Sequence, residues 1–142
     1  MISYYNQDIA FKFTNKRVCT SWIKNVILEE TLDNPKRVGD ISVIFCSDEY
    51  LLQVNKQYLS HDYYTDVITF DNSEGSLING DIFISIDTVR SNAEYYHQIF
   101  LDELHRVIIH GVLHLLGYKD KSSKEKSLMT NKEDYYLAKR DM

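Results

Sequence analysis

The spacing of apolar residues divides the chain into short alternating stretches and longer stretches with helical periodicity. Apolar and polar residues alternate over 8–13 and 38–46, which predicts two half-buried strands. Two β-branched stretches, 65–70 and 82–86, predict two more strands, and we expect these to pair antiparallel because they follow one another in sequence. The segment 72–79 between them is the most loop-like part of the chain.

The helical stretches share an apolar stripe at a spacing of three or four residues, and in most of them a polar capping residue precedes it. They predict five helices, from Thr14 or Asn15 to Leu32, from Ser47 to Tyr58, from Asp87 or Thr88 to His97, from Phe100 or Asp102 to Leu116, and from Ser122 to Lys139. The last helix begins with Ser122 and Glu125, which have the spacing of a capping box.

The order of these elements, β, α, β, α, β, β, α, α, α, predicts an α/β (α+β) fold. Residues 1–142 are expected to form a single compact domain, since a chain of this length can bury one core without disulfides or metals. A mixed four-stranded sheet covered by helices, with a helical C-terminal third, would bury the apolar faces of all these elements.

Composition and charge narrow the class of protein. Hydrophobic residues make up 44% and charged residues 26%, as in an average soluble globular protein. We expect a cytoplasmic protein with no membrane partner, because no apolar stretch could span a bilayer and the N-terminus lacks a secretory signal pattern. Cys19 and Cys46 are isolated and are expected to be reduced thiols. The sequence leaves the oligomeric state open, a monomer included.

The net charge of −5 counts against a protein that binds nucleic acid through a broad basic surface. It does not exclude RNA binding, because a local patch matters more than the sum. One such patch consists of four lysines after the fourth predicted helix, which could attract RNA phosphates or could be a solvated helix start; its members are Lys119, Lys121, Lys124 and Lys126.

The segment from His110 to Asp120 has the clearest chemical character in the chain. His110 and His114 are four residues apart in an apolar helix, so both imidazoles project from one face and are close enough to share an ion. Gly117 can end the helix and let the chain turn back to present Asp120. Two imidazoles and a carboxylate are a plausible ligand set for one Zn²⁺ per chain with one open position, although another divalent metal would also fit.

The same segment can be compared with the zinc-protease pattern HExxHxxGxxH. The two histidines and the glycine coincide with this pattern, and Asp120 stands at its third ligand. Residue 111 would have to be the glutamate that acts as general base, and here it is Gly111. A metallohydrolase that acts on peptide or small amide bonds is therefore unlikely on chemical grounds.

A family resemblance extends well beyond this segment. The sequence HGVLHLLGYKD at 110–120 resembles the HGxLHLxGYDH signature of the YbeY family, bacterial metal-dependent endoribonucleases that act in rRNA maturation. Shorter matches follow in the family's order between about residues 38 and 137: Asn55 with Tyr58, Thr65-Asp66-Val67 with Phe70, Gly80-Asp81-Ile82, and Met129 with Glu133.

The resemblance implies a compact α/β domain with a zincin-like metal site formed by His110, His114 and Asp120. It also implies a zinc-dependent endoribonuclease that cleaves single-stranded RNA in small-subunit rRNA maturation and ribosome quality control. The partners would then be rRNA and the small ribosomal subunit. An alternative function is a ribosome-associated assembly factor in which the metal is structural; a fourth protein ligand would favour that alternative, and an open position the enzyme.

Two positions depart from the family pattern. Asp120 stands where the family has its third histidine ligand, and Leu59 stands where the family has an arginine expected to contact RNA phosphate or the transition state. Lys56 or His61 could take over from that arginine.

The candidates for proton transfer or substrate positioning are His61 and Asp66. The structural alternatives are an exposed loop side chain for His61 and a capping residue before a strand for Asp66. His97 and His105 are expected to be structural or surface residues.

Overall fold

The computed structural model describes all 142 residues, which form four strands and five helices. The strands are β1 (Ile2–Asn6), β2 (Arg37–Cys46), β3 (Val67–Asp71) and β4 (Leu77–Ser85). The helices are α1 (Lys16–Glu30), α2 (Asp48–Leu59), α3 (Ile86–Tyr95), α4 (Phe100–Leu115) and α5 (Ser123–Leu137). The α/β fold predicted from the sequence, with a helical C-terminal third, is confirmed.

The sheet has the strand order β1-β2-β4-β3 and is mixed. β1 and β4 each pair with β2 in a parallel manner, whereas β3 pairs with β4 in an antiparallel manner, as its place in the sequence predicted. β3 therefore forms one edge of the sheet, and the loop that precedes it lies beside the C-terminal end of α4, where the metal motif is found.

The prediction of a first strand over 8–13 is wrong. The first strand is Ile2–Asn6, and residues 8–13 follow it as irregular chain. Phe13 is nevertheless buried, and its ring centroid lies 5.1 Å from that of Phe45. Phe11 contacts the same ring. The alternation of apolar residues thus predicted correctly which side chains pack against the core. Burial of alternate side chains, however, does not require the backbone to pair with a neighbouring strand.

Several element boundaries also differ from the prediction, and two of them concern β4 and α3. β4 begins at Leu77, inside the segment predicted as a loop. α3 is capped by Ser85, whose Oγ accepts a hydrogen bond from the Thr88 N–H at 3.2 Å, and not by Asp87 or Thr88. The strand thus passes directly into the helix, and the hydroxyl satisfies one of the free N–H groups of the first turn.

α4 is the central helix of the molecule, and nine of its sixteen residues are buried. It packs against β3 and β4 on one side and against α3 and α5 on the others. Gly111 allows the close approach to the sheet, because a Cβ atom at this position would lie 2.7 Å from Ile82 Cγ2. None of the five helices combines the length and the apolar character needed to cross a membrane.

The two remaining histidines of the prediction lie away from the metal motif. His105 is buried on the opposite side of α4, with Nδ1 2.7 Å from an Arg140 guanidinium nitrogen. Burial and the positive charge of Arg140 lower the pKa of His105 to about 4, so this residue is a neutral part of the core. His97 is exposed and has a left-handed backbone (φ 55°). Cys19 and Cys46 are free and buried.

Candidate metal centre

The C-terminal half of α4 holds both histidines of the motif. His110 and His114 are one turn apart and project from the same face of the helix. Their rings are arranged edge to face with centroids 4.5 Å apart, and the two Nε2 atoms are 2.9 Å apart. The helix alone therefore brings two donor atoms to one point, as the four-residue spacing predicted.

The loop after α4 adds a carboxylate to this pair. Gly117 has a φ of +99°, a conformation that L side chains rarely adopt, and it turns the chain back over the end of the helix. Asp120 Oδ2 then lies 3.2 Å from His110 Nε2 and 3.4 Å from His114 Nε2. The structure thus brings together the three residues that the sequence proposed as metal ligands, and no other group of His, Cys, Asp and Glu forms such a cluster.

The spacing of the three donor atoms fits a tetrahedral ion. Zinc binds histidine nitrogen and carboxylate oxygen at about 2.0–2.2 Å, and tetrahedral angles then place neighbouring donors about 3.3–3.5 Å apart. The observed separations of 2.9, 3.2 and 3.4 Å are close to these values. Three ligands would occupy three of the four positions of such an ion.

A buried carboxylate orients the first imidazole. His110 Nδ1 lies 2.7 Å from Glu133 Oε2, and the other oxygen of Glu133 accepts a hydrogen bond from Arg106 at 2.8 Å. Glu133 is buried on α5, and the guanidinium compensates its charge. In the sequence, Glu133 is notable only as a match to the family pattern. Its contact with His110 joins residues 23 positions apart, and motif spacing does not predict such a contact.

A main-chain carbonyl orients the second imidazole. His114 Nδ1 lies 2.8 Å from the Tyr118 carbonyl oxygen, in the loop that carries Asp120. The Tyr118 hydroxyl in turn donates to the carboxylate of Glu30 at the end of α1. The carbonyl can only accept, so His114 must carry its proton on Nδ1 and present a lone pair at Nε2.

Each imidazole thus uses Nδ1 for an outer partner and directs Nε2 toward the other ligands. With the neutral tautomers fixed in this way, two nitrogen lone pairs and a carboxylate oxygen would face one another, an arrangement that a shared cation stabilises. Burial alone would lower the pKa of His110, but the hydrogen bond to Glu133 and the charges of Glu133, Asp120 and Asp66 raise it above its ordinary value. The electrostatics of the residues present therefore fit a metal ion.

Gly111 follows His110 directly, but its position on the helix is turned toward the sheet. It is buried against Ile82 of β4, and any side chain there would clash with the sheet. The position that carries the general base in the zinc-protease pattern thus has neither the carboxylate nor the space for one. This geometry agrees with the expectation that the site is not a peptidase.

The donor cluster lies in a cleft of about 570 Å³ between α4, the edge strand β3 and the loops on either side. Two candidate residues of the sequence analysis, His61 and Asp66, line this cleft together with the three donors. Lys119 and Lys121 of the lysine patch line the cleft as well. The other two lysines of that patch, Lys124 and Lys126, are exposed on α5 outside the cleft.

Asp66 immediately precedes β3 and has both features that the sequence left open. Its main-chain carbonyl accepts the Ser85 N–H at 2.9 Å, which ties the start of β3 to the end of β4. The side chain is also a wall of the cleft. Burial raises the pKa of Asp66 and outweighs the opposing effects of His110 and the backbone N–H groups.

His61 is exposed at the mouth of the cleft, and its ring is stacked on that of Tyr63. Lys56, the other residue considered as a substitute for the missing arginine, pairs with Asp62 at 3.4 Å and does not line the cleft. Leu59 does line it and supplies no charge. The positive groups on the cleft wall are therefore Lys119 and Lys121, on the loop that carries Asp120.

Comparison of the sequence with known proteins identifies the family of the chain. The model of the family described as Endoribonuclease YbeY matches residues 1–141. This chain belongs to the YbeY family. Similar relatives that carry the name Endoribonuclease YbeY include those of Parabacteroides distasonis (54% identical, covering 96% of this chain and 94% of the relative) and Phocaeicola vulgatus (53%, covering 97% of each). That of Bacteroides thetaiotaomicron is 50% identical over 98% of each chain.

The family assignment agrees with the fold. The solution structure of TM1509 from Thermotoga maritima is similar with a TM-score of 0.63 and 26% identity, covering 96% of this chain and 87% of that one. YbeY family members are endoribonucleases, hydrolases that cleave RNA phosphodiester bonds, and they depend on a metal ion. The family and enzyme class expected from HGVLHLLGYKD are thus confirmed.

Proposed function

We propose that this protein is a zinc-dependent endoribonuclease that cleaves single-stranded RNA in small-subunit rRNA maturation and in ribosome quality control. The supporting observation is the convergence of His110, His114 and Asp120 on the wall of an open cleft in a chain of the YbeY family. Catalytic zinc sites commonly have three protein ligands and one open position, whereas structural sites are closed by four. The proposal includes a cytoplasmic location and the small ribosomal subunit as partner.

Each residue of the centre has a defined part in this proposal. His110, His114 and Asp120 hold the ion, while Glu133 and the Tyr118 carbonyl fix the orientation of the imidazoles. When bound, the ion supplies Lewis acidity that polarises a water molecule or a phosphate oxygen.

The remaining cleft residues act on the RNA. Asp66 lines the same cleft as the donor cluster, where it holds or releases a proton beside the reacting phosphate, and its partial burial favours the protonated form. Lys119 and Lys121 bind the RNA phosphates in place of the arginine that Leu59 replaces. His61, whose ring is stacked on a neighbour, positions substrate instead of transferring protons.

Metal analysis combined with RNA cleavage tests this function. We expect about one zinc ion per chain in the wild type, and neither zinc nor cleavage above background in His114→Ala or Asp120→Ala. His97→Asn is the matched control, because His97 is exposed, lies outside the cluster and has a backbone conformation that asparagine tolerates. Wild-type protein purified without chelators that carries no stoichiometric metal would overturn the proposal, as would cleavage that survives both substitutions.

A ribosome-associated assembly factor with a structural metal is the second candidate, and Leu59 in the cleft is the observation that favours it. This candidate predicts zinc binding and RNA binding with little cleavage. This candidate is excluded if the wild type cleaves RNA while both His114→Ala and metal-free wild-type protein do not.

A further inference from the structure

The loop between α2 and β3 carries two aromatic rings that the metal chemistry does not use. His61 and Tyr63 are stacked with ring centroids 5.1 Å apart and an interplanar angle of 20°, and the Tyr63 hydroxyl lies 3.0 Å from His61 Nδ1. Both side chains are exposed, and the fraction for Tyr63 is 55%. Exposed rings keep a free face on which a flat ligand can stack, which rings buried in the core do not.

A single buried residue holds this pair in place. The main-chain carbonyl of Asn55 accepts the His61 N–H at 3.1 Å, and the side-chain amide of Asn55 donates to the Tyr63 carbonyl at 2.9 Å. Asn55 itself is only 1% exposed, so both bonds are shielded from water. Ser60, directly before His61, has a left-handed backbone (φ 56°), which turns the chain sharply at the end of α2. The loop backbone is therefore fixed while both rings face outward.

The pair lies at the mouth of the cleft that contains the donor cluster. His61 and Tyr63 line one wall, and Lys119 and Lys121 line the same cleft from the loop after α4. An aromatic surface beside lysines is the combination that binds single-stranded nucleic acid, where each base stacks on a ring and the phosphates follow the positive charge.

We propose that the stacked rings of His61 and Tyr63 form a platform that binds a nucleobase of single-stranded RNA and so positions the chain in the cleft. This inference rests on the proposed ribonuclease function and deepens it. A base in a duplex is already stacked on both faces, so the platform offers a physical basis for discrimination against double-stranded RNA. It also assigns His61 a role in substrate binding that compensates in part for Leu59.

Binding of fluorescein-labelled octaadenylate to the zinc-replete full-length protein, followed by fluorescence anisotropy with gels to verify intact RNA, tests the platform. Tyr63→Ala should raise the Kd by roughly 5- to 150-fold, the range for loss of one base–aromatic stack. Tyr63→Phe keeps the ring and should stay within about threefold of the wild type. The Tyr63 side chain is exposed and its carbonyl holds the loop, so the substitution preserves the fold, which circular dichroism verifies.

Tyr95→Ala is the matched control. Tyr95 is another exposed aromatic residue with a tyrosine neighbour, but its ring meets that of Tyr96 edge to face and lies outside the cleft. The Kd of Tyr95→Ala for octaadenylate should equal that of the wild type. An oligomer of eight abasic ribose phosphates gives the second comparison, because it keeps the charge and has no base to stack. On this probe, wild type and Tyr63→Ala should bind alike.

The outcomes separate the platform from the catalytic function. If Tyr63→Ala binds octaadenylate as tightly as the wild type, or loses the same factor on the abasic oligomer, the platform is wrong even when the wild type cleaves RNA. If binding depends on Tyr63 as expected but the wild type does not cleave RNA, the platform stands and the catalytic proposal fails. Wild-type protein that does not bind octaadenylate overturns the platform directly.

Discussion

At the scale of single residues, the centre depends on groups that never touch the ion. Glu133 fixes the ring of His110 through Nδ1 and is itself held by Arg106. Outer partners of this kind raise the basicity of a ligand and reduce the freedom it loses on binding metal. The same argument applies to the Tyr118 carbonyl and His114, although a main-chain carbonyl cannot be removed by substitution.

We therefore expect Glu133→Gln to weaken zinc binding by about 10- to 100-fold. The amide keeps the size of the side chain but loses the charge, and its remaining oxygen must serve both His110 and Arg106. Competition with a chromophoric chelator measures the change in Kd for zinc. Asp134→Asn is the matched control, because Asp134 also binds Arg106 but does not contact either histidine. Equal losses in the two variants would contradict a specific role for Glu133.

At the scale of elements, the position of α4 against the sheet decides where the histidines point. The helix approaches β4 at Gly111, while His110 and His114 on the neighbouring face line the cleft. The same closeness recurs at Gly80 of β4, where a Cβ atom would lie 2.5 Å from Cδ2 of Leu115 in α4. The two glycines thus allow helix and sheet to pack closely beside the metal centre.

Replacement of Gly111 by alanine tests this packing, because the sign of the change in the free energy of unfolding depends on it. In an exposed helix the change would stabilise by about 1 kcal/mol, but here the new methyl group would clash with Ile82 at a typical cost of about 1–3 kcal/mol. We expect the free energy of unfolding to fall by about 1–2 kcal/mol in urea titrations. Asn25→Ala, at an exposed position inside α1, controls for helix propensity. A stabilised Gly111→Ala would contradict the close packing.

At the scale of the whole molecule, the centre joins three parts of the chain. α4 supplies two donors, the loop after it supplies the third, and α5 supplies the carboxylate behind His110. α1 is linked as well, since Glu30 binds the hydroxyls of Tyr118 and Tyr136 and the ammonium of Lys132. An ion that binds only the folded arrangement must stabilise all of these contacts together.

Zinc should therefore raise the thermal stability of the whole domain. At a free concentration of about 100 times its Kd, an ion that binds only the native state adds about 2.7 kcal/mol. Calorimetry should show a higher Tm with zinc than with EDTA for the wild type, and no difference for Asp120→Ala. A wild-type Tm that does not respond to zinc would show that the three donors do not bind the ion in the folded state.

Much of the fold followed from the sequence because its signals are local. Strands β2, β3 and β4 and all five helices were found from apolar periodicity, with errors at their ends. β1 was missed and a strand was predicted over 8–13 instead, since the apolar side chains of Phe11 and Phe13 enter the core without a paired backbone. A pattern of burial records contacts of side chains and carries no direct information on hydrogen bonds between strands.

By itself the sequence determined that His110 and His114 share one helix face and that Gly117 could return Asp120 to them. The four-residue spacing and a glycine turn act over one or two turns of chain, so their geometry is fixed by the backbone alone. Only the tertiary structure decided that Glu133 supports His110 and that Gly111 faces the sheet. It also placed His61 and Tyr63 on the same cleft as the metal centre. These contacts join residues far apart in the chain, and they arise from the way the elements pack.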